Sequence, residues 1–266
     1  MLLIKYLILG IIQGFTEPLP ISSSGHIRIF KSIFNDYVLN DMNFEIIVNF
    51  GSLLAILLLY KDEIMSIIKD FILYIKTRNN NYKTNYKYVW IIIIGTIPAG
   101  IFGILIKDII EKYFITKYVG IALLITSILL FSIKDITGNK DKSDITIKDA
   151  IKIGLFQVIA LFPGISRSGA TVVGSMKCNL KREAALNYSF MLYIPISLAS
   201  MVLSISDLIN SNTLNQLFIP YFVSMLAASI VTYYSAKLFI NLFKKGKLIY
   251  FSIYCFIVGI ITFIVF

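Results

Sequence analysis

Long apolar runs separated by short polar segments make up most of this chain. Six runs of 16 to 23 residues have about the length that a helix needs to cross a hydrocarbon layer of ~30 Å. They are Phe44–Tyr60, Tyr88–Ile106, Tyr118–Ile133, Ala184–Ser206, Leu217–Ala236 and Leu248–Phe266. Only 15% of the residues are charged, whereas soluble domains have about 25%. The pattern therefore predicts six transmembrane helices.

The positive charges are distributed unevenly between these runs. Eighteen of the 25 lysines and arginines lie in four segments, 61–87, 134–152, 177–183 and 237–247. Such residues collect in cytoplasmic loops, which explains the net charge of +10 without a nucleic-acid partner. If all four segments are cytoplasmic, the six runs cross the membrane and both termini lie outside. Segments 1–27 and 153–175 must then be re-entrant hairpins, which require shielding of their backbone.

Two parts of the sequence resemble each other when the chain is shifted by 144 residues. Gly10–Gln13 then aligns with Gly154–Gln157, and Ser22–Gly25 aligns with Ser166–Gly169. The charge pattern places the two hairpins that contain these residues on opposite sides of the membrane. Opposite-facing repeats with broken helices form a known architecture, in which the site lies at the interface of the repeats.

The predicted fold class follows from these three observations. We expect an all-α polytopic membrane protein with six transmembrane helices and two re-entrant helical hairpins in inverted-topology repeats. The whole chain, 1–266, forms a single membrane domain, with one repeat at about 1–133 and the other at about 150–266.

The first hairpin contains a polar motif. Gln13 and Glu17 are four residues apart and share one face of a helix, which two following prolines end. The Ser22–Gly25 run is suited to cap a second helix, and His26 follows within one turn of Ser23. Carboxylates and imidazoles inside a membrane usually mark function; the alternative is a polar kink satisfied by neighbouring helices.

The second hairpin contains a motif with a fixed cation, Pro163–Thr171. Its arginine, Arg167, has apolar runs on both sides, and arginine is suited to bidentate binding of phosphate. An anion pocket is predicted from two helix N-termini, this cation and five residues with hydroxyl groups. These five are Ser22, Ser23, Ser166, Ser168 and Thr171. The nearby carboxylate and imidazole of the first motif make phosphate the expected anion.

Both motifs resemble those of the undecaprenyl-diphosphate phosphatase family of the bacitracin-resistance type. The resemblance runs nearly from end to end, because three further stretches also look familial: Phe44–Ala55, Ile97–Gly100 and Ala184–Phe190. The chain departs from the usual family residues at Gln13, where many members have glutamate, at Pro18 and at Asn49. The first departure weakens a metal site built on two carboxylates.

The resemblance implies hydrolysis of undecaprenyl diphosphate to the monophosphate, which recycles the lipid carrier of cell-wall synthesis and gives bacitracin resistance. It also implies a divalent cation, Mg²⁺ or Ca²⁺, and a place in the bacterial inner membrane with the active site facing the periplasm. The expected partners are the isoprenyl diphosphate substrate and membrane lipids. A homodimer is left open.

Roles can then be assigned to the motif residues. We expect Arg167 to bind the diphosphate and Ser23 to attack the terminal phosphorus, with His26 or Glu17 as general base. His26 and a metal-bound water remain alternative nucleophiles. Glu17, with Gln13, is expected to hold the metal through oxygen. The expected substrate-binding residues are Ser22, Ser24, Ser166, Ser168, Gly169 and Thr171.

Three other classes of protein are alternatives to a diphosphate phosphatase. Type-2 phosphatidate phosphatases also use Ser-Gly-His and Ser-Arg pieces, but their mechanism needs two histidines and this chain has one, His26. A lipid-carrier flippase or an anion transporter would use the same pocket. A structural membrane subunit predicts that changing Glu17 or Arg167 costs no activity.

Overall fold

The computed structural model describes residues 2–34, 42–113, 115–210 and 212–266. These residues are nearly all helical, and no strand forms among them. The helices are α1 (Leu2–Thr16), α2 (Ser23–Phe34), α3 (Met42–Leu59), α4 (Lys61–Thr77), α5 (Lys83–Tyr113), α6 (Thr116–Phe131), α7 (Ile147–Ile159), α8 (Arg167–Lys177), α9 (Arg182–Asn210), α10 (Asn212–Lys244) and α11 (Leu248–Val265).

Several of these helices are long and apolar enough to span a membrane. Within the described ranges, α5, α9, α10 and α11 meet this criterion, and a fifth span results if α3 and α4, which are bent by 75°, count as one. The helices α1 and α6 are apolar but shorter. Large apolar side chains such as Ile104, Ile128 and Ile264 are exposed on the outer faces, as contact with lipid requires. The chain is therefore a multi-pass membrane protein, and the six predicted runs all lie largely within helices.

Two short helical hairpins lie within the bundle. Helix α1 packs on α2, and α7 packs on α8. The first hairpin turns at Ser22, which has a left-handed backbone (φ 68°), and the second turns near Gly164 (φ 102°). Helix α8 begins where the Ser166 hydroxyl accepts a hydrogen bond from the N–H of Gly169 at 3.1 Å. The hydroxyl runs of both motifs therefore start helices, as expected from their capping preference.

One long helix from each half of the chain packs against helices of the other half. Helix α10 of the second half packs on α1 and α3 of the first, and α5 of the first half packs on α7 and α9 of the second. Both packing contacts depend on a glycine: a Cβ added to Gly10 would lie 2.5 Å from the carbonyl oxygen of Ser224, and one added to Gly154 would lie 2.5 Å from that of Gly95. Gly10 and Gly154 are the residues that the 144-residue shift aligns. Helices α6 and α11, which end the two halves, pack on each other.

The four basic segments meet at one end of the bundle. Ion pairs connect them in series: Lys142–Glu63 at 2.9 Å, Lys181–Asp141 at 2.5 Å and Lys244–Glu183 at 2.7 Å. At the other end, the hydroxyl groups of Ser32 in α2 and Thr116 in α6 lie 2.9 Å apart. The basic residues therefore mark one end of the molecule.

Candidate active site

Glu17 lies at the centre of a polar cluster where the hairpins meet. It follows the last turn of α1, and its backbone N–H donates to the Gln13 carbonyl at 2.8 Å. Its side chain is only 6% exposed. The Gln13 amide Nε2 donates to Glu17 Oε2 at 2.9 Å, as the spacing of four residues on one helix face predicts. Gln13 therefore holds the carboxylate in place.

The second hairpin brings Arg167 to the same carboxylate. Arg167 is the first residue of α8, and its Nη2 pairs with Glu17 Oε1. Its Nη1 donates to the Ser197 hydroxyl of α9 at 3.2 Å, and the guanidinium carbon lies 4.1 Å from the centre of the Tyr193 ring. The cation is thus fixed by an ion pair, a hydrogen bond and an aromatic face.

Ser23 completes the cluster from the first hairpin. It is the first residue of α2, and its hydroxyl donates to Glu17 Oε2. Ser23 and Arg167 are 144 residues apart in sequence but bind the two oxygens of one carboxylate. A hydroxyl, a base that accepts its proton and a fixed cation are the groups that nucleophilic attack on a phosphate requires.

Hydrogen bonds between side-chain hydroxyl groups and backbone groups also connect the tips of the hairpins. The Ser22 hydroxyl accepts a hydrogen bond from the N–H of Gly164 at 3.1 Å, and the Ser168 hydroxyl donates to the Leu19 carbonyl at 3.0 Å. In α6, the Thr126 hydroxyl donates to the Gly164 carbonyl at 3.0 Å. These bonds fix the position of Ser23 relative to Arg167.

The remaining predicted substrate-binding residues surround this contact. Ser24 lies with its hydroxyl 3.4 Å from that of Ser22, and the hydroxyl groups of Ser166 and Ser168 are 3.2 Å apart. Thr171 lies one turn into α8, with its hydroxyl 2.6 Å from that of Ser189 in α9. Gly169 donates its N–H to the Ser166 cap. The first turns of α2 and α8 therefore gather the expected hydroxyl groups near the arginine.

His26 is buried and faces away from this carboxylate. Its Nδ1 lies 2.7 Å from the Ser22 carbonyl oxygen, which can only accept a hydrogen bond, so Nδ1 carries the hydrogen. Its Nε2 lies 2.8 Å from the Tyr254 hydroxyl of α11, and the two rings stack at 5.6 Å. Both nitrogens are therefore engaged outside the Ser23–Glu17 contact. Of the two bases left open by the sequence, the geometry favours Glu17.

Four residues that hold predicted site residues in place were not themselves predicted to belong to the site: Asn49, Tyr193, Ser197 and Tyr254. The hydroxyl of Tyr193 donates to Asn49 Oδ1 at 3.0 Å, so α3 holds the ring on which Arg167 stacks. Tyr193 and Ser197 are four residues apart, which places both on the face of α9 that meets Arg167. The four-residue spacing of Tyr193 and Ser197 was the sequence feature that could have indicated this contact, but the same spacing of polar residues is common in apolar helices.

The space between these side chains is small. The cavity beside Glu17, Arg167 and Tyr193 has a volume of about 10 Å³, which is about the smallest that can hold one water molecule. A diphosphate does not fit there while Arg167 and Glu17 are paired. A phosphate in this cavity therefore requires the side chains around it to move.

The donor atoms at this cluster suit a hard cation. Glu17, Gln13 and Ser23 offer a carboxylate, an amide oxygen and a hydroxyl, which are oxygen ligands of the kind that Mg²⁺ and Ca²⁺ take. Among the described residues, no three histidine, cysteine or acidic side chains converge. A cation held by one carboxylate and by phosphate oxygens of a ligand agrees with this donor set.

Comparison with known proteins agrees with the motifs. The family model described as "Bacitracin resistance protein BacA" matches residues 6–261. The chain belongs to this family. It is 47% identical over 262 residues to undecaprenyl-diphosphatase 1 of Bacillus cereus, covering 98% of this chain and 97% of that protein.

Two other relatives are similar over the same length. Undecaprenyl-diphosphatase 3 of Bacillus anthracis is 46% identical over 263 residues, with 98% of this chain and 97% of that protein covered. The undecaprenyl-diphosphatase of Oceanobacillus iheyensis is 41% identical over 265 residues, with 98% and 96% covered. Membership of the BacA family thus extends over essentially the whole chain.

Proposed function

We propose that this membrane protein hydrolyses undecaprenyl diphosphate to undecaprenyl phosphate and inorganic phosphate. This reaction recycles the lipid carrier of cell-wall synthesis and gives resistance to bacitracin. The full-length similarity to undecaprenyl-diphosphatases supports the activity. The observation that carries its chemistry is the single carboxylate of Glu17, held between the Ser23 hydroxyl and the Arg167 guanidinium.

The reaction begins when the terminal phosphate takes the place of Glu17 at Arg167. The guanidinium then binds two phosphate oxygens, and Ser197 and Tyr193 keep it in position. The Ser23 oxygen attacks the terminal phosphorus while Glu17 takes the hydroxyl proton. The bond to the bridging oxygen breaks, and undecaprenyl phosphate leaves as an anion that needs no proton.

A second step regenerates the enzyme. Water attacks the phosphorus of phosphorylated Ser23, the phosphorus–Oγ bond breaks, and inorganic phosphate leaves. Glu17, which was protonated in the first step, returns its proton to the Ser23 oxygen as that bond breaks, and both hydrogens of the water leave with the phosphate. Arg167 offsets negative charge on the phosphoryl oxygens in both steps. His26 acts through its bond to the Ser22 carbonyl, which positions the residue before Ser23.

A divalent cation, Mg²⁺ or Ca²⁺, belongs to this proposal. Glu17 and Gln13 would hold it through their side-chain oxygens, together with phosphate oxygens of the substrate. The cation would act as a Lewis acid and neutralise negative charge on the phosphate oxygens. Within this chain, the part of Gln13 is to orient the Glu17 carboxylate.

The proposed topology has six crossings and two re-entrant hairpins in inverted repeats, with both termini outside the inner membrane. The packing of α5 and α10 on helices of the other half supports the repeat. The ion pairs that join all four basic segments support a common cytoplasmic side for them. In this topology, the hairpin of Glu17 and Ser23 enters from the outside, so the site opens towards the periplasm.

Site-directed labelling tests this topology. With the native Cys178 and Cys255 replaced by serine, we expect a membrane-impermeant maleimide to label Ile115→Cys in intact cells but not Asn80→Cys. Ile115 is 54% exposed at the end without the basic segments, whereas Asn80 is exposed in the polar turn between α4 and α5. Both positions should react after permeabilisation. Labelling of position 80 from outside would contradict the topology.

Phosphate release in detergent tests the reaction itself. The purified protein, with no membrane compartment present, should release inorganic phosphate from undecaprenyl diphosphate, and a chelator should abolish the release. Restoration by Mg²⁺ or Ca²⁺ identifies the cation. A flippase or anion transporter without phosphatase activity moves its ligand between compartments and releases no phosphate under these conditions.

The contacts of His26 lead to a separate prediction. In His26→Asn, the amide N–H is placed to keep the hydrogen bond to the Ser22 carbonyl, so activity should stay within about 10-fold of wild type. His26→Ala should lose more, since it leaves that carbonyl and the Tyr254 hydroxyl without the imidazole. Steady-state phosphate release and its pH profile measure the effect. A loss of about 10²–10⁴-fold in His26→Asn would instead assign proton transfer to the imidazole.

A further inference from the structure

An apolar cavity lies between α3, α9 and α10, outside the cluster around Glu17. Its volume is about 230 Å³. This is larger than an engineered cavity of about 150 Å³ that accepts benzene. Side chains from all three helices line it, among them Ile46, Phe50, Met201, Ile205, Phe222 and Met225. It is thus large enough for a branched hydrocarbon chain.

One face of α9 leads from the arginine to this cavity. Tyr193 and Ser197 contact Arg167, and Met201 and Ile205 line the cavity. These four residues follow one another at intervals of four, so each lies close to the side of the helix occupied by the one before it and about 6 Å further along the helix. The first cavity residue is therefore one turn beyond the residue that accepts a hydrogen bond from Arg167.

Helix α3 makes the same connection from the opposite wall. Asn49 accepts the hydrogen bond of the Tyr193 hydroxyl at 3.0 Å, and the next residue, Phe50, lines the cavity. The third wall belongs to α10, which has a non-helical backbone at Leu217 and a proline at Pro220. A proline inside a helix bends it. Helices α3 and α9 therefore both run from the polar cluster to the cavity.

We propose that this cavity binds the isoprene units beyond the first one of the polyprenyl chain while the diphosphate lies at Arg167. This inference rests on the proposed function, because the same molecule must supply the phosphate and the chain. A chain already dissolved in lipid gains little free energy from another apolar environment. The cavity instead fixes the direction in which the chain leaves the phosphate, and so aligns the terminal phosphorus with Ser23.

Filling the cavity tests the proposal. Met201→Trp and Met225→Trp add an indole from two different walls, and Leu203→Trp and Leu226→Trp add the same group to exposed positions on the same helices. The substrates are undecaprenyl diphosphate, the fifteen-carbon farnesyl diphosphate and a five-carbon isoprenyl diphosphate. We expect kcat/KM to fall about 10-fold for the two longer chains in both cavity variants. The five-carbon substrate and both exposed variants should behave as wild type.

Other outcomes overturn the proposal in distinguishable ways. Unchanged kcat/KM for the longer chains in both cavity variants would mean that ordinary membrane lipid fills the cavity. An equal loss with the five-carbon substrate would mean that the substitutions disturb the phosphate site. Absence of phosphate release by the wild-type protein from every diphosphate would contradict the proposed function itself.

A second measurement does not depend on turnover. A farnesyl diphosphate analogue with a diazirine in its second isoprene unit should crosslink to the peptides that carry Met201 or Met225. An excess of undecaprenyl diphosphate should suppress this labelling, and an excess of phospholipid should not. Labelling confined to peptides on the exposed faces, such as those of α11, would reject the cavity as the chain site.

Discussion

Replacement of Arg167 by lysine is expected to lower phosphate release by about 10²–10³-fold, the usual cost of removing one preorganised donor from a transition state. The guanidinium pairs with Glu17, donates to Ser197 and stacks on Tyr193 at the same time. A lysine ammonium keeps the charge but has neither the planar fork nor the flat face. The loss should appear mainly in kcat, since the fork binds the phosphoryl oxygens as their charge develops.

Two controls separate this effect from a general loss of structure. Arg78→Lys changes an exposed arginine in the turn after α4 and should retain wild-type activity. Arg167→Lys should elute as a single species in detergent and melt close to the wild-type protein, because the lysine can still pair with Glu17. Near-normal phosphate release by Arg167→Lys would show that the arginine does not bind the reacting phosphate.

Local sequence patterns predicted the parts of the site that lie within each hairpin. The four-residue spacing of Gln13 and Glu17 implied a shared helix face, and the structure joins the two side chains by a hydrogen bond. The hydroxyl runs at Ser22 and Ser166 implied helix starts, and α2 and α8 begin there. Such features depend on neighbours within one or two turns, so sequence alone contains the necessary information.

The contact between the hairpins required information from the whole chain. The repeat aligned Ser23 with Arg167, and the charge count placed the two hairpins on opposite sides of the membrane. Neither observation concerns a local motif. Together they predicted that residues 144 apart lie in one pocket. The structure brings both to the carboxylate of Glu17.

The direction in which individual side chains point could not be predicted from the sequence. Tyr193 and Ser197 reach Arg167 because of how α9 is rotated about its axis, which depends on packing against α3, α5 and α8. His26 lies in the same motif as Ser23, but its ring contacts α11 instead of Glu17. Residues that are close in sequence on a helix point in different directions, and only tertiary packing decides which of them meet.

The ion pair between Glu17 and Arg167 connects binding to activation of the nucleophile. With the pair closed, the adjoining space holds about one water molecule, and the carboxylate is shared by an arginine and a serine. A phosphate that takes the guanidinium leaves Glu17 with the Ser23 hydroxyl and without its cation. In the proposed reaction, the carboxylate is then free to accept the proton of Ser23 once the substrate is in place.

Replacement of Glu17 by glutamine is expected to reduce phosphate release to near the detection limit. The carboxylate accepts hydrogen bonds from Gln13, Ser23 and Arg167. A glutamine has one acceptor oxygen, so its NH₂ group must face at least one of these donors. It also cannot take the proton of Ser23, and it offers the cation a neutral ligand. Three requirements of the proposed reaction therefore fail with almost no change in side-chain volume.

A matched control and an exchange of residues test whether the loss is specific to a carboxylate at position 17. Glu63→Gln breaks another ion pair, with Lys142 at the basic end of the bundle, and should leave activity close to wild type. Gln13→Glu alone should be tolerated, because it replaces the amide oxygen proposed to hold the cation with a carboxylate oxygen. The double variant Gln13→Glu/Glu17→Gln keeps the carboxylate one helical turn away and should remain inactive, since Ser23 and Arg167 contact residue 17. Phosphate release by the double variant at the wild-type rate would show that any carboxylate in the hairpin suffices, and Glu17 would lose its assignment as the base.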